Sequence, residues 1–404
     1  MKIFLSAGEI SGDVHGAALV EAVRSIEPSA EFAGIGGTRM RAAGVRLLHD
    51  SSAWGTVGFF EGLTRFPKLF PVLRGMGGVL KAESPDLFVP IDYRFFNMRA
   101  CRAAKDSGIP VVYYFAPVSW FGTGTRKFEE LARSVDLALV CLPVSLDEYE
   151  RAGVNYLYVG HPMVDLVSPT MNHEEAARFF NLETGRLTIG LMPGSREHEV
   201  RSLMPVFRRA VENLSGRIPG LQFILMSAGG ALTPLIRKTL RGAPVSVFES
   251  NRYDFMNVSD LLILCSGTAT HEATLLGRPM IVVYRLSRLT AALVRATVEL
   301  PFVSLPNILA GEAVVPELLQ EKCTPAAVAA EAYRLLTDPE ARHETRRRLE
   351  RAGAELGAPG VIRRAAEIVA AAAAGRWGET QDAVMKALRG RRPAAKLTPG
   401  EFIA

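Results

Sequence analysis

Two short segments bring phosphate chemistry within reach of this chain: Met192-Pro193-Gly194-Ser195-Arg196 and, further along, Ser266-Gly267-Thr268-Ala269-Thr270-His271-Glu272. Each follows an apolar run, Leu187–Leu191 and Leu261–Cys265, so each reads as strand, tight glycine turn, helix. A helix that begins beside such a turn offers free backbone N–H groups and the positive end of its dipole to an anion. Arg196 adds a planar fork of donors suited to phosphate oxygens. Two such turns at strand ends of one open sheet would form a diphosphate cradle that needs no metal. Ordinary turn chemistry explains either turn alone. Glu272, one helical turn further in, can accept two hydrogen bonds from a ribose diol or can simply compensate the helix dipole.

The first part of the chain carries different groups. Asp92 follows the apolar run Leu87–Ile91, at the strand end where α/β folds place reacting groups. It can act as a general base toward an attacking hydroxyl, or it can be a structural carboxylate paired with Arg94. Ala7-Gly8-Glu9-Ile10-Ser11-Gly12-Asp13-Val14-His15-Gly16 follows the first strand and opens a helix. Its glycines let backbone approach a ligand, although Ser11 as an N-cap with Asp13 in the first turn explains the same residues. The segment is not a GxGxxG, and no ribose-binding acid follows it. His161 stands alone and reads as structural; HExxH, GxSxG and Walker A patterns are absent.

These residues need a scaffold of alternating elements. Apolar runs at Lys2–Ser6, Glu31–Gly34, Leu87–Ile91, Val111–Phe115, Leu137–Leu142 and Tyr156–Gly160 alternate with amphipathic stretches. After a polar linker at Asp165–His173 the pattern restarts at Leu187, with further strands at Gln222–Met226, Val245–Phe248, Leu261–Cys265 and Met280–Tyr284. The expectation is an α/β protein of two Rossmann-like parallel-sheet domains facing a central cleft. Their bounds are 1–165 and 166–340, with helices and a basic tail at 341–404 packing back across the domains.

Composition narrows the class. The 404 residues exceed one compact core, and 48% hydrophobic with 22% charged residues is a globular balance. A net charge of +5 permits an acidic ligand or an anionic membrane surface without the basic stripe expected of a nucleic-acid binder. The 4 cysteines are scattered, which fits a reducing compartment and neither disulfides nor a zinc site. Glu9 and Asp13 interrupt the N-terminal apolar run, so it reads as a strand and not as a signal peptide. No run approaches the roughly twenty apolar residues of a membrane span.

Taken in order, AGEISGDVHGA at 7–17, GIGGTRM at 34–40, PDLFVPID at 85–92, VGHPMVD at 159–165, LMPGSREHEV at 191–200, SGTATHEATLLGRPMIVVY at 266–284 and LPNILAGEAVVPELLQ at 305–320 resemble lipid-A-disaccharide synthase, an inverting glycosyltransferase family of bacterial lipid A assembly. The resemblance implies a GT-B fold, no metal or other cofactor, a UDP-2,3-diacylglucosamine donor and a 2,3-diacylglucosamine 1-phosphate acceptor. It places Asp92 on the family's catalytic Asp and Arg196 on its essential Arg. It puts Gly8, Glu9, Ser11, Gly12, Ser195, Arg196, Ser266, Gly267, Thr268, Glu272, Asn307, Glu317 and Gln320 at the UDP-sugar site. Two segments depart from the family pattern: Arg94 stands where IDxPxFN has Pro, and Tyr114–Gly122 differs from YVSPSVWAW. Both flank the acceptor side. A UDP-sugar epimerase-like enzyme and a non-catalytic nucleotide-sugar or lipid binder remain alternatives.

Acylated substrates must come from a membrane, so the resemblance also implies a cytoplasmic protein held peripherally at the inner-membrane leaflet, with a homodimer left open. Phe59, Leu63, Phe66, Phe70 and Leu73 recur at spacings of four and three, with Phe60 beside them and Arg65, Lys68 and Arg74 among them. An apolar acyl-contacting patch with a basic rim is the expectation, against a helix burying that face in the core. Pro67 and Pro71 predict shorter helical pieces with a break near Pro67.

Overall fold

The computed structural model describes residues 1–52, 54, 61–118, 126–286 and 301–377, the side chains of 61–69 and 126 excepted. The chain divides into two compact units: Met1–Asp165 with the chain from Leu356 onward, and Leu166–Glu355.

The first unit is built on β1 (Lys2–Ala7), β2 (Glu31–Gly36), β3 (Arg46–Asp50), β4 (Leu87–Ile91), β5 (Val112–Tyr114), β6 (Leu137–Val140) and β7 (Tyr156–Tyr158). They form one parallel sheet in the order β3-β2-β1-β4-β5-β6-β7. Strand alternation sorts the side chains onto two faces. Ile3, Leu5, Leu87, Val89 and Ile91 share one core with Leu19, Val20 and the C-terminal helix Val361–Ala373. Phe4, Phe88 and Tyr113 share the other with Met76 and Leu80. Pro90 sits inside buried β4 and has no N–H to donate to β5 between the Phe88 and Asp92 amides, which donate to Pro110 O (2.9 Å) and Tyr114 O (3.3 Å).

The second unit carries β8 (Thr188–Met192), β9 (Gln222–Met226), β10 (Ser246–Phe248), β11 (Leu261–Cys265), β12 (Met280–Tyr284) and β13 (Glu317–Leu319). These are also all parallel, in the order β10-β9-β8-β11-β12-β13. In both sheets the order reverses beside the first strand, between β1 and β4 and between β8 and β11. A reversal of this kind opens a crevice at the carboxyl ends of the strands, where α/β proteins bind ligands.

Four elements differ from the sequence expectation. The segment with Pro67 and Pro71 is one uninterrupted helix, Glu61–Glu83, because each proline deletes a single ladder bond and the turns on either side carry the rest. The edge strands β3 and β13 were not foreseen; neither is fully buried at any position, so neither carries the apolar run that marks the central strands. The helix Pro339–Ala354 belongs to the second unit, and only the following stretch returns to the first.

That return explains the VGHPMVD segment. Asp165 accepts from Gly360 N (2.6 Å) and Ile362 N (2.8 Å), capping the helix Val361–Ala373. His161 N donates to Leu356 O (2.7 Å), and Arg364 donates to Val159 O (3.1 Å). Gly160, at φ +91°, lies against Leu356 O where a Cβ would fall at 2.9 Å. The segment is a docking station for the C-terminal helix.

Candidate active site

Asp92 and the glycine loop meet at the reversal point of the first sheet. The register pairs Ala7 with Ile91, so Gly8 and Asp92 leave adjacent strand ends. Asp92 and Tyr93 both adopt left-handed backbone, φ +48° and +46°, which costs on the order of 1–3 kcal/mol at each such residue. Buried Asn97 holds them there. Its amide donates to the carbonyls of Ser6 (3.1 Å), Ile91 (3.1 Å) and Asp92 (2.8 Å), and it accepts from Ser6 Oγ (2.7 Å). Tyr113 OH adds a bond to Asp92 O (2.7 Å). The Tyr93 ring closes over Gly8 so tightly that a Cβ there would collide with it. That contact explains the glycine.

The Asp92 carboxyl is held above its ordinary range by burial, opposed by the Tyr93 amide. Among the described residues no cation forms an ion pair with it, so the structural Asp92–Arg94 pair is not what the fold builds. Burial first, and then the charge of Glu9, raises the Tyr93 phenol, which puts Glu9 at the same strand ends. Gly12 packs where a Cβ would lie 3.3 Å from Ala7 Cβ and 3.5 Å from Ile91 O. Ser11 does not cap the helix Ile10–Ile26, whose N-cap is Glu9. Asp13 is a cap of another kind: it accepts from Gly37 N (2.7 Å), Arg39 N (3.0 Å) and Met40 N (3.0 Å), tying the first motif to the short helix Thr38–Ala42.

At the reversal point of the second sheet, Met192 pairs with Leu264, so the two glycine turns emerge side by side. They are not alike. In the first, Gly194 takes φ +108° and buried Glu199 reaches back to accept from Ser195 N (3.0 Å) and Arg196 N (3.1 Å). The free amides expected here are therefore occupied by the chain's own carboxylate, as in a capping box. Glu199 also holds Arg196 Nη1 (3.2 Å), leaving that guanidinium 39% exposed as the group this turn offers.

The second turn matches the expectation more closely. Gly267, at φ +150°, is the N-cap of the helix Thr268–Leu275 and caps it with no side chain. Ser266 N donates to Val283 O (3.1 Å), and Gly267 and Thr268 are exposed. Glu272 is buried beneath them and forms an ion pair with Arg252. Burial pushes its carboxyl up to about 7, against the lowering effect of Arg252. Beside the turns, Tyr284 is raised to about 12 by burial and then by Glu199 and Cys265, with Arg196 opposing.

The last predicted group is committed to the protein itself. Asn307 donates to Val315 O (2.9 Å) and Glu317 Oε1 (2.8 Å) and accepts from Val314 N (2.8 Å) and Val315 N (2.9 Å). All four of its side-chain hydrogen-bonding positions are filled. Glu317 accepts from Ser304 N (2.9 Å), Ser304 Oγ (2.6 Å) and Val303 N, capping the helix Leu305–Ala310. Gln320 accepts from Leu286 N (3.2 Å). These side chains build the loop beside β13.

Of the expected acyl contacts, Phe59 and Phe60 lie outside the described residues, as do the side chains of Leu63 and Phe66. Phe70 is 51% exposed, while Leu73, from the same stripe, packs on the core. The sequence reading missed Asn97, Glu199 and Arg252. Glu199 sits three residues past the N-cap, where a capping box announces itself. Arg252 carried no signal, because only the fold brings it to Glu272.

The profile of the family Lipid-A-disaccharide synthetase matches residues 3–372. A lipid-A-disaccharide synthase from Geobacter sulfurreducens is 40% identical over 372 residues, covering 91% of this chain and 96% of that protein. One from Nitrosococcus oceani is 36% identical over 371 residues, 91% and 95% of the two chains. Among solved structures, UDP-GlcNAc 2-epimerase from Neisseria meningitidis bound to UDP-GlcNAc has a TM-score of 0.60 at 12% identity, covering 91% and 98%. MurG from Acinetobacter baumannii has 0.55 at 14% identity, also covering 91% and 98%. These likenesses speak for the GT-B fold alone. The identity to the synthases extends from the first strand into the C-terminal helix, and the chain belongs to the lipid-A-disaccharide synthase family.

Proposed function

We propose that this glycosyltransferase of lipid A disaccharide synthesis transfers 2,3-diacylglucosamine from UDP to the 6-hydroxyl of 2,3-diacylglucosamine 1-phosphate. Asp92 takes the hydroxyl proton as O6 attacks the anomeric carbon. The bond to the UDP oxygen breaks on the opposite face, inverting the centre. Arg196 and the amides after Gly267 meet the charge that builds on the departing diphosphate. Glu272 accepts from the ribose hydroxyls. A cytoplasmic membrane leaflet supplies both acylated substrates.

The observation that carries this reading is Asp92 itself: a part-buried carboxylate at the sheet reversal, held in strained backbone by Asn97, without an ion-pair partner among the described residues. Strain maintained by a buried network is a mark of a working site. The test is turnover of UDP-2,3-diacylglucosamine with the monosaccharide phosphate, followed by mass spectrometry of the lipid. Wild type should give disaccharide and UDP, with a rate that climbs with pH as the raised Asp92 carboxyl ionises. Asp92→Asn should lose about 100- to 10,000-fold in kcat while UDP affinity stays near wild type. Turnover of Asp92→Asn comparable to wild type refutes the base assignment, and absence of disaccharide from wild type refutes the reaction.

A further inference from the structure

Beyond Asp92, on the β5 side, the first unit has a small notch open to solvent, with enclosed room for about one water, whose role the reaction above does not use. Met98, Phe128 and Leu131, all buried, supply apolar wall, and Pro117 closes one side. Two cations complete the lining: Arg94, the first residue of the helix Arg94–Asp106, and Lys127, near the start of the helix Arg126–Ser134. They are close enough that Arg94 depresses the Lys127 ammonium, after the larger effect of burial. Neither has an ion-pair partner among the described residues, and Glu130, on the same helix as Lys127, is taken by Arg102 (2.6 Å). Two like charges held together over apolar wall repel one another until an anion joins them.

We propose that this pocket is the subsite for the phosphate monoester of the acylated sugar acceptor, an assignment that rests on the reaction proposed above. Two positive charges match a monoester, which carries close to two negative charges at neutral pH, better than a singly charged phosphodiester. Arg94 contributes a planar fork and Lys127 a point charge. Arg94 is two residues beyond Asp92, so the anchor and the base ride on one turn of chain. The donor's diphosphate has its own cation, Arg196, in the second unit. Arg94, where the resembling family has proline, thus gains a specific task.

The experiment compares 2,3-diacylglucosamine 1-phosphate with its dephosphorylated form as acceptors for wild type, R94Q, K127Q and the double variant. Each single variant should raise KM for the phosphorylated acceptor about tenfold or more, leave donor KM unchanged, and leave KM for the dephosphorylated acceptor at the wild-type value. R94K should recover part of the loss. An equal rise for both acceptors, or none for either, overturns the subsite. Lipid headgroups are the other source of phosphate, so binding to phosphatidylglycerol vesicles is measured in parallel. Loss of vesicle binding with an unchanged acceptor KM also overturns the proposal. If wild type makes no disaccharide, the reaction fails separately, and calorimetric titration with the phosphorylated acceptor in detergent decides: binding weakened in the double variant supports the pocket, equal binding refutes it. Should the double variant lose its melting transition, exposed K127Q alone carries each comparison.

Discussion

Glu272 and Asp92 are both carboxylates raised by burial, yet their neighbours suit them to different tasks. Asp92 has no ion-pair partner among the described residues and can exchange a proton. Glu272 keeps Arg252 on one oxygen, so it is oriented as an acceptor. Its folded pKa of about 7 lies above the ordinary carboxylate value, so the protonated form is favoured by folding. Stability therefore falls as pH rises from the ordinary value through about 7, and levels off above it. On the proposed ribose contact, ligand affinity runs the other way, since the ionised form is the one able to accept both ribose hydroxyls. Binding of a UDP-sugar, whose diphosphate diester does not titrate in this range, should tighten about tenfold between pH 6 and pH 8, and Glu272→Gln should flatten that slope. Calorimetry at the two pH values checks it, and an equal slope in the variant rejects the ribose contact. The sequence made Glu272 legible, because its distance from Gly267 places it one turn inside the helix. Arg252 was not, because no local pattern announces a partner that arrives from another helix. The bonds of Asn307 were not legible for a similar reason: nothing in a turn-rich segment announces its four bonds to Val314, Val315 and Glu317.

At the scale of the element, the turn from Pro193 to Glu199 is the clearest case of a local device feeding the site. The strand–turn–helix pattern was legible in Leu187–Arg196, but its anion-binding amides were not correctly read. Glu199 lies under the turn, neutralises the two amides and holds the guanidinium that faces outward. On the proposed mechanism it acts through Arg196, as a positioning residue. Glu199→Gln preserves the shape and removes the charge, so Arg196 should lose its fixed orientation. The expected result is a drop in kcat of about tenfold, with a smaller change in donor KM. The discriminating measurement is the double-mutant cycle: with Arg196→Ala already present, Glu199→Gln should cost almost nothing further. Full additivity of the two losses would show that Glu199 acts only on the stability of the helix. Short or masked signals explain the other misses at this scale. β13 is three residues long at a sheet edge, and prolines that read as helix breakers sit inside Glu61–Glu83.

Across the whole chain, alternating apolar runs made two parallel sheets legible, but they could not say which sheet a late helix would cover. Helix Pro339–Ala354 stays with the second unit, while Val361–Ala373 returns to the first, because Asp165 caps it and its alanine-rich face fits against Leu19 and Val20. The first unit therefore contains both ends of the described chain and leaves certain large apolar side chains on its surface. Ile10 is 61% exposed, Phe70 51% and Phe95 70%. Ile10 and Phe95 lie in the first turns of the two helices that follow Gly8 and Asp92. Among the described residues no helix is long and apolar enough to cross a membrane. If the substrates are acylated as proposed, exposed apolar groups of this kind are the candidates to meet them. Immersing the three exposed faces contributes about 3 kcal/mol, roughly a hundredfold in partitioning. Replacing Ile10, Phe70 and Phe95 with Ser should cut sedimentation with anionic liposomes by a factor of that order. The melting temperature should hold close to wild type, since exposed substitutions shift stability by only about 0.5 kcal/mol each. KM for a short-chain, water-soluble acceptor should also stay unchanged, separating membrane docking from damage to the site. Undiminished sedimentation by a folded triple variant would place the membrane-facing surface elsewhere on the chain.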